Sequence, residues 1–252
     1  MPAVPPPGHP LRFTTIAHGG RTILGPLEPA ELDAILDAVP LPARGSAWDI
    51  GCGKGDLLVR LAPRGLSGTG VDRNPWVLAD ARRIAEDAGV GERVCLETAE
   101  AGPATLPGGV DLVACIGATG ALGGPAEAPA AMAAAVRPGG IVIIGEGCWS
   151  AAPEPAWLEE FGIEPREMLD RDGTLGRMTA AGLEARAVHA ATERAWDAYD
   201  DAYAGAVELW AAANPEDPER DAFLARAAFM RATYSAWRRR AMGFLLVVLQ
   251  RP

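Results

Sequence analysis

The sequence predicts an α/β fold built on a doubly wound, largely parallel sheet. Three features of the 252 residues carry that expectation. From residue 46 onward, short apolar runs alternate with helical segments, the pattern of strands joined by crossover helices. The first crossing, WDIGCGKGDLLVRLA (48–62), crowds Gly51, Gly53 and Gly55 into a strand-to-helix turn. The second strand-like run ends in Asp72, a carboxylate where such sheets hold ligands.

Taken in order, MPAVPPPGHP lacks the basic start and apolar core of a secretory leader and reads as a proline-stiffened, mobile tail. Residues 11–27 (LRFTTIAHGGRTILGPL) have no clear period and read as an ordered arm or lid. EPAELDAILDAV brings Pro29 and acidic residues to a first turn and sets Leu32, Ile35, Leu36 and Val39 on one helical face; Pro40 and Pro42 stop it. Strands are expected at SAWDI, SGTGVD, RVCLET, VDLVACIG and GIVIIGE. Helices fall at DLLVRLA, NPWVLADARRIAEDAG and AEAPAAMAAAV, the last ended by Arg137, Pro138, Gly139 and Gly140. The resulting order is β-α-β-α-β-β-α-β. Beyond it TLGRMTAAG reads as a helix, LEARAVHAA as a strand, residues 192–241 as a helical insertion rich in aromatics, and GFLLVVLQ as a closing strand. The expected organisation is tail and arm over 1–27, a cofactor-binding core over 28–191, an aromatic substrate lid over 192–241, and the core's final strand over 242–252.

Composition removes several function classes. A net charge of -10 argues against nucleic acid as a partner, because neutralising phosphates requires a basic face. The one basic run, Arg238-Arg239-Arg240, reads as the solvated end of a helix. Cys52, Cys95, Cys115 and Cys148 have no C-x-x-C spacing and read as reduced thiols of a cytoplasmic protein. His9, His18 and His189 form no pair with ligand spacing, so no protein-bound metal is expected. No apolar run approaches a membrane span, and no membrane partner is expected.

The glycine turn selects its ligand by spacing and charge. A dinucleotide turn needs G-x-G-x-x-G; here the glycines run G-x-G-x-G and Asp56 follows, a carboxylate at the helix N-terminus that a pyrophosphate would meet as a repulsion. No G-x-x-x-x-G-K-[ST] occurs. A zwitterionic methionine tail suits the turn better: backbone N–H groups around Gly51, Cys52, Gly53 and Gly55 can take its carboxylate, while Asp49 or Asp56 attracts its ammonium. A sulfonium also tolerates acidic and aromatic surroundings, which points to S-adenosylmethionine. Asp72 then stands 21 residues after Gly51, just before the N-cap and first-turn pair Asn74 and Pro75, where a carboxylate can accept both ribose hydroxyls. Ala99, Glu100 and Ala101 follow the third strand, where Glu100 or adjoining backbone can meet the adenine amine or simply face solvent. In IGATGALGG, Ile116 and Gly117 flank the methionine moiety, and Thr119 sits where an acceptor would enter; a tight turn explains these small residues equally well.

Together DIGCGKGD (49–56), GVD (70–72), AEA (99–101) and RPGGIVIIGE (137–146) resemble class I S-adenosylmethionine-dependent methyltransferases. The likeness covers roughly residues 28 to 250. More narrowly, ACIGATGALGG, GEGCW, W-x-x-Y and an A-N-P turn look like a group of poorly characterised bacterial small-molecule methyltransferases. The resemblance implies a Rossmann-like seven-stranded sheet with its last strand antiparallel, S-adenosyl-L-methionine as cofactor, S-adenosyl-L-homocysteine as product, and a small-molecule methyl acceptor. Arg73 departs from the family, which often has an apolar residue on adenine there; its guanidinium can stack on the base or recruit a 2'-phosphate, which keeps an NADP-dependent reductase open. A non-catalytic cofactor-binding or interaction module, with the aromatic insertion as docking surface, is the third reading.

Methyl transfer is expected as an in-line displacement that demands alignment above all, so catalytic residues are few. Glu146, at the tip of the fifth strand, is the first candidate for proton transfer, or else caps backbone amides or orients a substrate amine; His18 in the arm is the second, with solvent exposure as its alternative. His189, inside a strand pattern, reads as a satisfied structural histidine. Trp149, just past the fifth strand, is expected by position to line the acceptor pocket, and the helical series Trp196, Tyr199, Tyr203 and Trp210 either lines it too or forms a core stripe.

Overall fold

The structure is a computed structural model and describes residues 4–162, 164 and 168–252; residues 1–3 of the expected tail lie outside it, as do 163 and 165–167. A short helix α1 (Arg12–Ala17) and α2 (Pro29–Asp37) precede the sheet. β1 (Gly45–Ile50), α3 (Asp56–Leu61), β2 (Leu66–Asp72), α4 (Pro75–Asp87), β3 (Val94–Thr98), β4 (Val110–Ile116), α5 (Ala128–Ala135) and β5 (Val136–Trp149) follow. Then come α6 (Pro155–Phe161), α7 (Arg171–Thr179), β6 (Glu184–Ala190), the long α8 (Glu193–Ala213), α9 (Arg220–Thr233) and β7 (Met242–Gln250). One turn of π-helix, Tyr234–Arg238, continues α9.

The seven strands lie in the order β3-β2-β1-β4-β5-β7-β6, with β7 antiparallel to both neighbours. The order reverses between β1 and β4, and that switch point opens a crevice at the strands' carboxyl ends. Alternation along the central strands divides the core into two faces. Leu112, Ala114, Ile141, Ile143, Leu246 and Val248 meet Leu32, Leu36, Leu57 and Leu61 from α2 and α3. Val113, Cys115, Val142, Ile144, Leu245, Val247 and Leu249 meet Met132, Met178 and Leu183 on the other side. Covered on both faces, β7 needs an unbroken apolar sequence, which is why FLLVVL carries no polar residue.

Local signals behave as their chemistry demands. Glu28 and Glu31 form a capping box at α2, and the Asn74 side chain accepts from the backbone of Trp76 and Val77 to start α4 behind Pro75. The N-terminal segment differs from the expectation. Residues 12–17 form a helix whose Phe13, Ile16 and Ala17 bury against Val207, Trp210 and Ala211 of α8. Residues from Val4 onward also pack against the protein: Val4 joins that cluster, the Gly8 N–H donates to Glu219 at 3.1 Å, and His9 meets Trp76 edge-on. Arg12 is buried between Asp217 and Glu219, fastening the segment to the α8–α9 connection.

Candidate active site

The glycine turn leaves β1 through three left-handed residues, Gly51, Gly53 and Gly55, at φ +64°, +53° and +70°. A Cβ on Gly51 would stand 2.3 Å from the Ala118 methyl, and one on Gly53 would stand 2.7 Å from Leu24. The spacing thus answers both backbone conformation and close approach. Cys52 folds its thiol back against Gly70 of β2, and burial pushes that thiol's pKa up. Lys54, 4% exposed, pairs with Asp80 at 3.2 Å and donates to the carbonyls of His18 at 2.9 Å and Gly19 at 3.3 Å. It clamps the end of α1 over the turn. The Asn74 amide adds a second tie to α1 through Thr15 at 2.9 Å.

Beneath this roof lies a cleft of about 590 Å³. Gly51, Gly53, Asp72, Arg73, Ala99, Glu100, Ala101, Ile116 and Gly117 line it together with Thr14 and His18. The Asp72 carboxylate accepts the Gly53 N–H at 2.9 Å on one oxygen and the Asn74 N–H at 2.8 Å on the other, a fixed geometry that leaves lone pairs for further donors. Arg73 is exposed at the cleft's edge.

A second, inner cavity of about 380 Å³ adjoins the cleft and shares Gly51, Gly53, Ile116 and Gly117 with it. Asp49, Glu146, Trp196 and Tyr199 are among its walls. Asp49 is 4% exposed; burial, reinforced by Asp72, pushes its carboxyl up to about 8. Asp56 differs, being held by Arg60 at 2.6 Å. Glu146 accepts the Thr119 hydroxyl on one oxygen and the Gly147 N–H, at 2.9 Å, on the other. His18 lines the cleft and meets Tyr199 in the wall of the inner cavity. Its Nδ1 lies 2.8 Å from the Thr14 carbonyl, which assigns the proton there, and its Nε2 accepts from the Tyr199 hydroxyl at 2.9 Å. Burial, with Lys54 and Arg21 adding to it, lowers the His18 pKa; burial also raises that of Tyr199.

Four residues expected at the acceptor line neither space. Thr119 is buried with its hydroxyl spent on Glu146. Tyr203 packs edge-on against Phe13 and His18. Trp149 continues β5 and packs with Trp237 in an apolar cluster, bordering a separate cavity of about 390 Å³. Trp210 sits in the α1–α8 core. His189 lies 3.7 Å from Glu31 with a buried Nε2 that makes no hydrogen bond, so it is not the satisfied histidine its strand position suggests. Arg239 and Arg240 fit the solvated helix end, but Arg238 lines the inner cavity. The sequence gives no functional signal at Lys54, and it groups Arg238 with a solvated run. The first is marked only by its place between two glycines, the second by falling four residues after Tyr234 on the helix.

Among the described residues, no group of three or more His, Cys, Asp or Glu is placed to hold a metal ion, and no helix is long and apolar enough to cross a membrane. The cleft and the adjoining cavity together suit a nucleoside joined to an amino acid: the cleft offers a fixed carboxylate at Asp72, and the cavity offers at Asp49 a buried carboxyl that an approaching cation would stabilise in its charged form. The N–H groups of Gly51, Cys52, Gly53 and Gly55, expected to take the methionine carboxylate, are instead donated to Val71, Asp72 and Cys52, because the tight turn closes on its own strand ends.

Comparison with known proteins gives a consistent likeness. A family model described as a methyltransferase domain matches residues 48–142. The uncharacterized protein YjhP of Escherichia coli (strain K12) is 33% identical over 172 residues, covering 67% of this chain and 69% of that one. A crystal structure of a SAM-dependent methyltransferase from Geobacter sulfurreducens in complex with S-adenosyl-L-homocysteine superposes with a TM-score of 0.89 at 26% identity, covering 100% of both chains. A ubiquinone biosynthesis O-methyltransferase of Aeromonas salmonicida is 36% identical over 118 residues, and the match spans only 50% of its length.

Proposed function

The chain belongs to the class I S-adenosylmethionine-dependent methyltransferases, and from that premise we propose that it methylates an oxygen, nitrogen or sulfur of a small-molecule acceptor held in the inner cavity. The cofactor supplies an electrophilic methyl carbon on a positively charged sulfur. The observation that carries this reading is the junction of the two spaces: the wider cleft and the inner cavity meet at Gly51, Gly53, Ile116 and Gly117, so donor and acceptor share one wall.

Each residue's task follows from its place. Asp72, fixed by two backbone N–H groups, accepts the ribose hydroxyls. The side-chain-free Gly51 and Gly53 leave room for the methionine portion, and Asp49 meets its ammonium. Ala99, Glu100, Ala101 and Arg73 hold the adenine end, while Ile116 and Gly117 form the floor under the transferred group. For in-line displacement the walls must align the nucleophile at about 3 to 3.5 Å from the methyl carbon. Glu146, oriented by Thr119 and Gly147, takes the proton from an acceptor that arrives protonated. His18 is held neutral by burial and positions the Tyr199 hydroxyl between the spaces. The arm and the aromatic insertion act as the lid that keeps water out.

Calorimetric titration with S-adenosylhomocysteine tests the cofactor side. Asp72→Ala should weaken binding by about 1–3 kcal/mol, the loss expected for hydrogen bonds to a charged group. Unchanged affinity would remove Asp72 from the ribose. A turnover screen that follows S-adenosylhomocysteine release over O-, N- and S-nucleophile panels tests the reaction, and an enzyme that methylates none of them would not support this assignment.

A further inference from the structure

The inner cavity holds two buried donors with nothing to donate to. Trp196 is 8% exposed, and its indole Nε1 has no hydrogen-bond partner. Arg238 has a buried Nη1 without a partner, and its Nε reaches only the Met242 sulfur, a weak acceptor, at 3.4 Å. Among the described residues no carboxylate comes within 4.0 Å of the Arg238 guanidinium, although Arg239 beside it pairs with Asp197 at 2.7 Å and Glu193 at 3.0 Å. Asp200, the nearest acidic influence on Arg238, is itself buried, and burial raises its pKa. A half-buried guanidinium with an unpaired buried N–H and an unsatisfied indole N–H each oppose folding, so two of them around one space mark a place completed by something outside the chain.

Both residues line the inner cavity, whose other walls include Leu24, Met242 and Phe244. We propose that Arg238 and Trp196 form an anion subsite that makes the enzyme select acceptors with an apolar body and a single carboxylate. A planar guanidinium presents parallel N–H donors that match a carboxylate edge, and the indole N–H supplies one more. Asp49, Asp56 and Glu146 border the same space and would repel a doubly charged phosphate more strongly than a carboxylate. The subsite rests on the inner cavity being the acceptor pocket of the methyltransferase. It adds a determinant of acceptor choice remote from the proton-transfer residue.

The test uses the whole protein saturated with S-adenosylhomocysteine and three matched probe pairs: benzoate and benzamide, phenylacetate and phenylacetamide, 4-hydroxybenzoate and 4-hydroxybenzamide. Binding is read by calorimetry and by the shift in Tm. At least one acid should bind the wild type ten times or more tighter than its amide. Arg238→Met should abolish that preference, Arg238→Lys should keep part of it, and Trp196→Phe should weaken the acid severalfold while leaving the amide unchanged. All variants should bind S-adenosylhomocysteine as the wild type does. Equal binding of acids and amides, no acid bound at all, or a preference that survives in Arg238→Met overturns the subsite. Should Arg238→Met fail to fold, full acid preference in Arg238→Lys together with an unaffected Trp196→Phe overturns it equally. A wild type that fails to bind S-adenosylhomocysteine refutes the underlying assignment of the cleft instead, so the two failures are distinguishable.

Discussion

Replacing Asp49 with Asn tests the electrostatics of the inner cavity most directly. Burial, with Asp72 adding to it, lifts the Asp49 carboxyl from 3.8 to about 8, so the folded protein binds this proton far more tightly than the unfolded chain does. The sign follows: the group's contribution to stability is fully present below about pH 4, declines as the pH rises, and is lost once the pH passes about 8. Between pH 5 and pH 9 a rise to about 8 corresponds to ~4 kcal/mol of that stability. Urea unfolding of wild type and Asp49→Asn between pH 5 and pH 9 isolates this group, because every other carboxylate cancels in the comparison. The variant should gain on the wild type by that amount across the window. A cation bound beside Asp49 pulls its pKa down. Hence S-adenosylhomocysteine should release about 0.9 proton at pH 7 from the wild type and almost none from the variant. Parallel stability curves together with equal proton release, measured in buffers of different ionisation enthalpy, would show that Asp49 neither titrates in this window nor meets the ligand's ammonium.

Two other residues give separate readouts. Glu146→Gln should lower kcat about 100-fold or more for an acceptor that must lose a proton and leave S-adenosylhomocysteine affinity within about twofold; an unchanged kcat excludes Glu146 as the base. Lys54→Met leaves Asp80 only the longer contact with Arg83 at 3.9 Å and frees the His18 and Gly19 carbonyls, so stability should fall by about 3 kcal/mol and hydrogen exchange should quicken over residues 12–20. Unchanged protection there would mean that the clamp does not hold the arm.

The central sheet is legible in the sequence because its strands are covered on both faces or alternate cleanly, and because caps such as Asn74 with Pro75 mark where helices begin. The placing of Asp72 at a strand end follows from those two signals alone. The arm is not legible, since six residues of helix have too few apolar positions to show a period. Phe13 and Ile16 find their partners on α8 and α9, nearly two hundred residues later or more. The tail escapes for the same reason, being held by Glu219 of the insertion.

Glu146 and Trp149 show where counting alone would have sharpened the expectation. β5 runs through both, and residues three apart on a strand project to opposite faces, so the two could not both look into one pocket. The basic triplet yields to the same reasoning on a helix. Successive residues are about 100° apart, so Arg238, Arg239 and Arg240 cannot share an environment. Tyr234, Trp237 and Ala241 mark the inward stripe, and Arg238 alone of the three arginines falls within it. What looks like one solvated patch in sequence is therefore two surface charges with partners or water, and one charge turned toward the place where an acceptor binds.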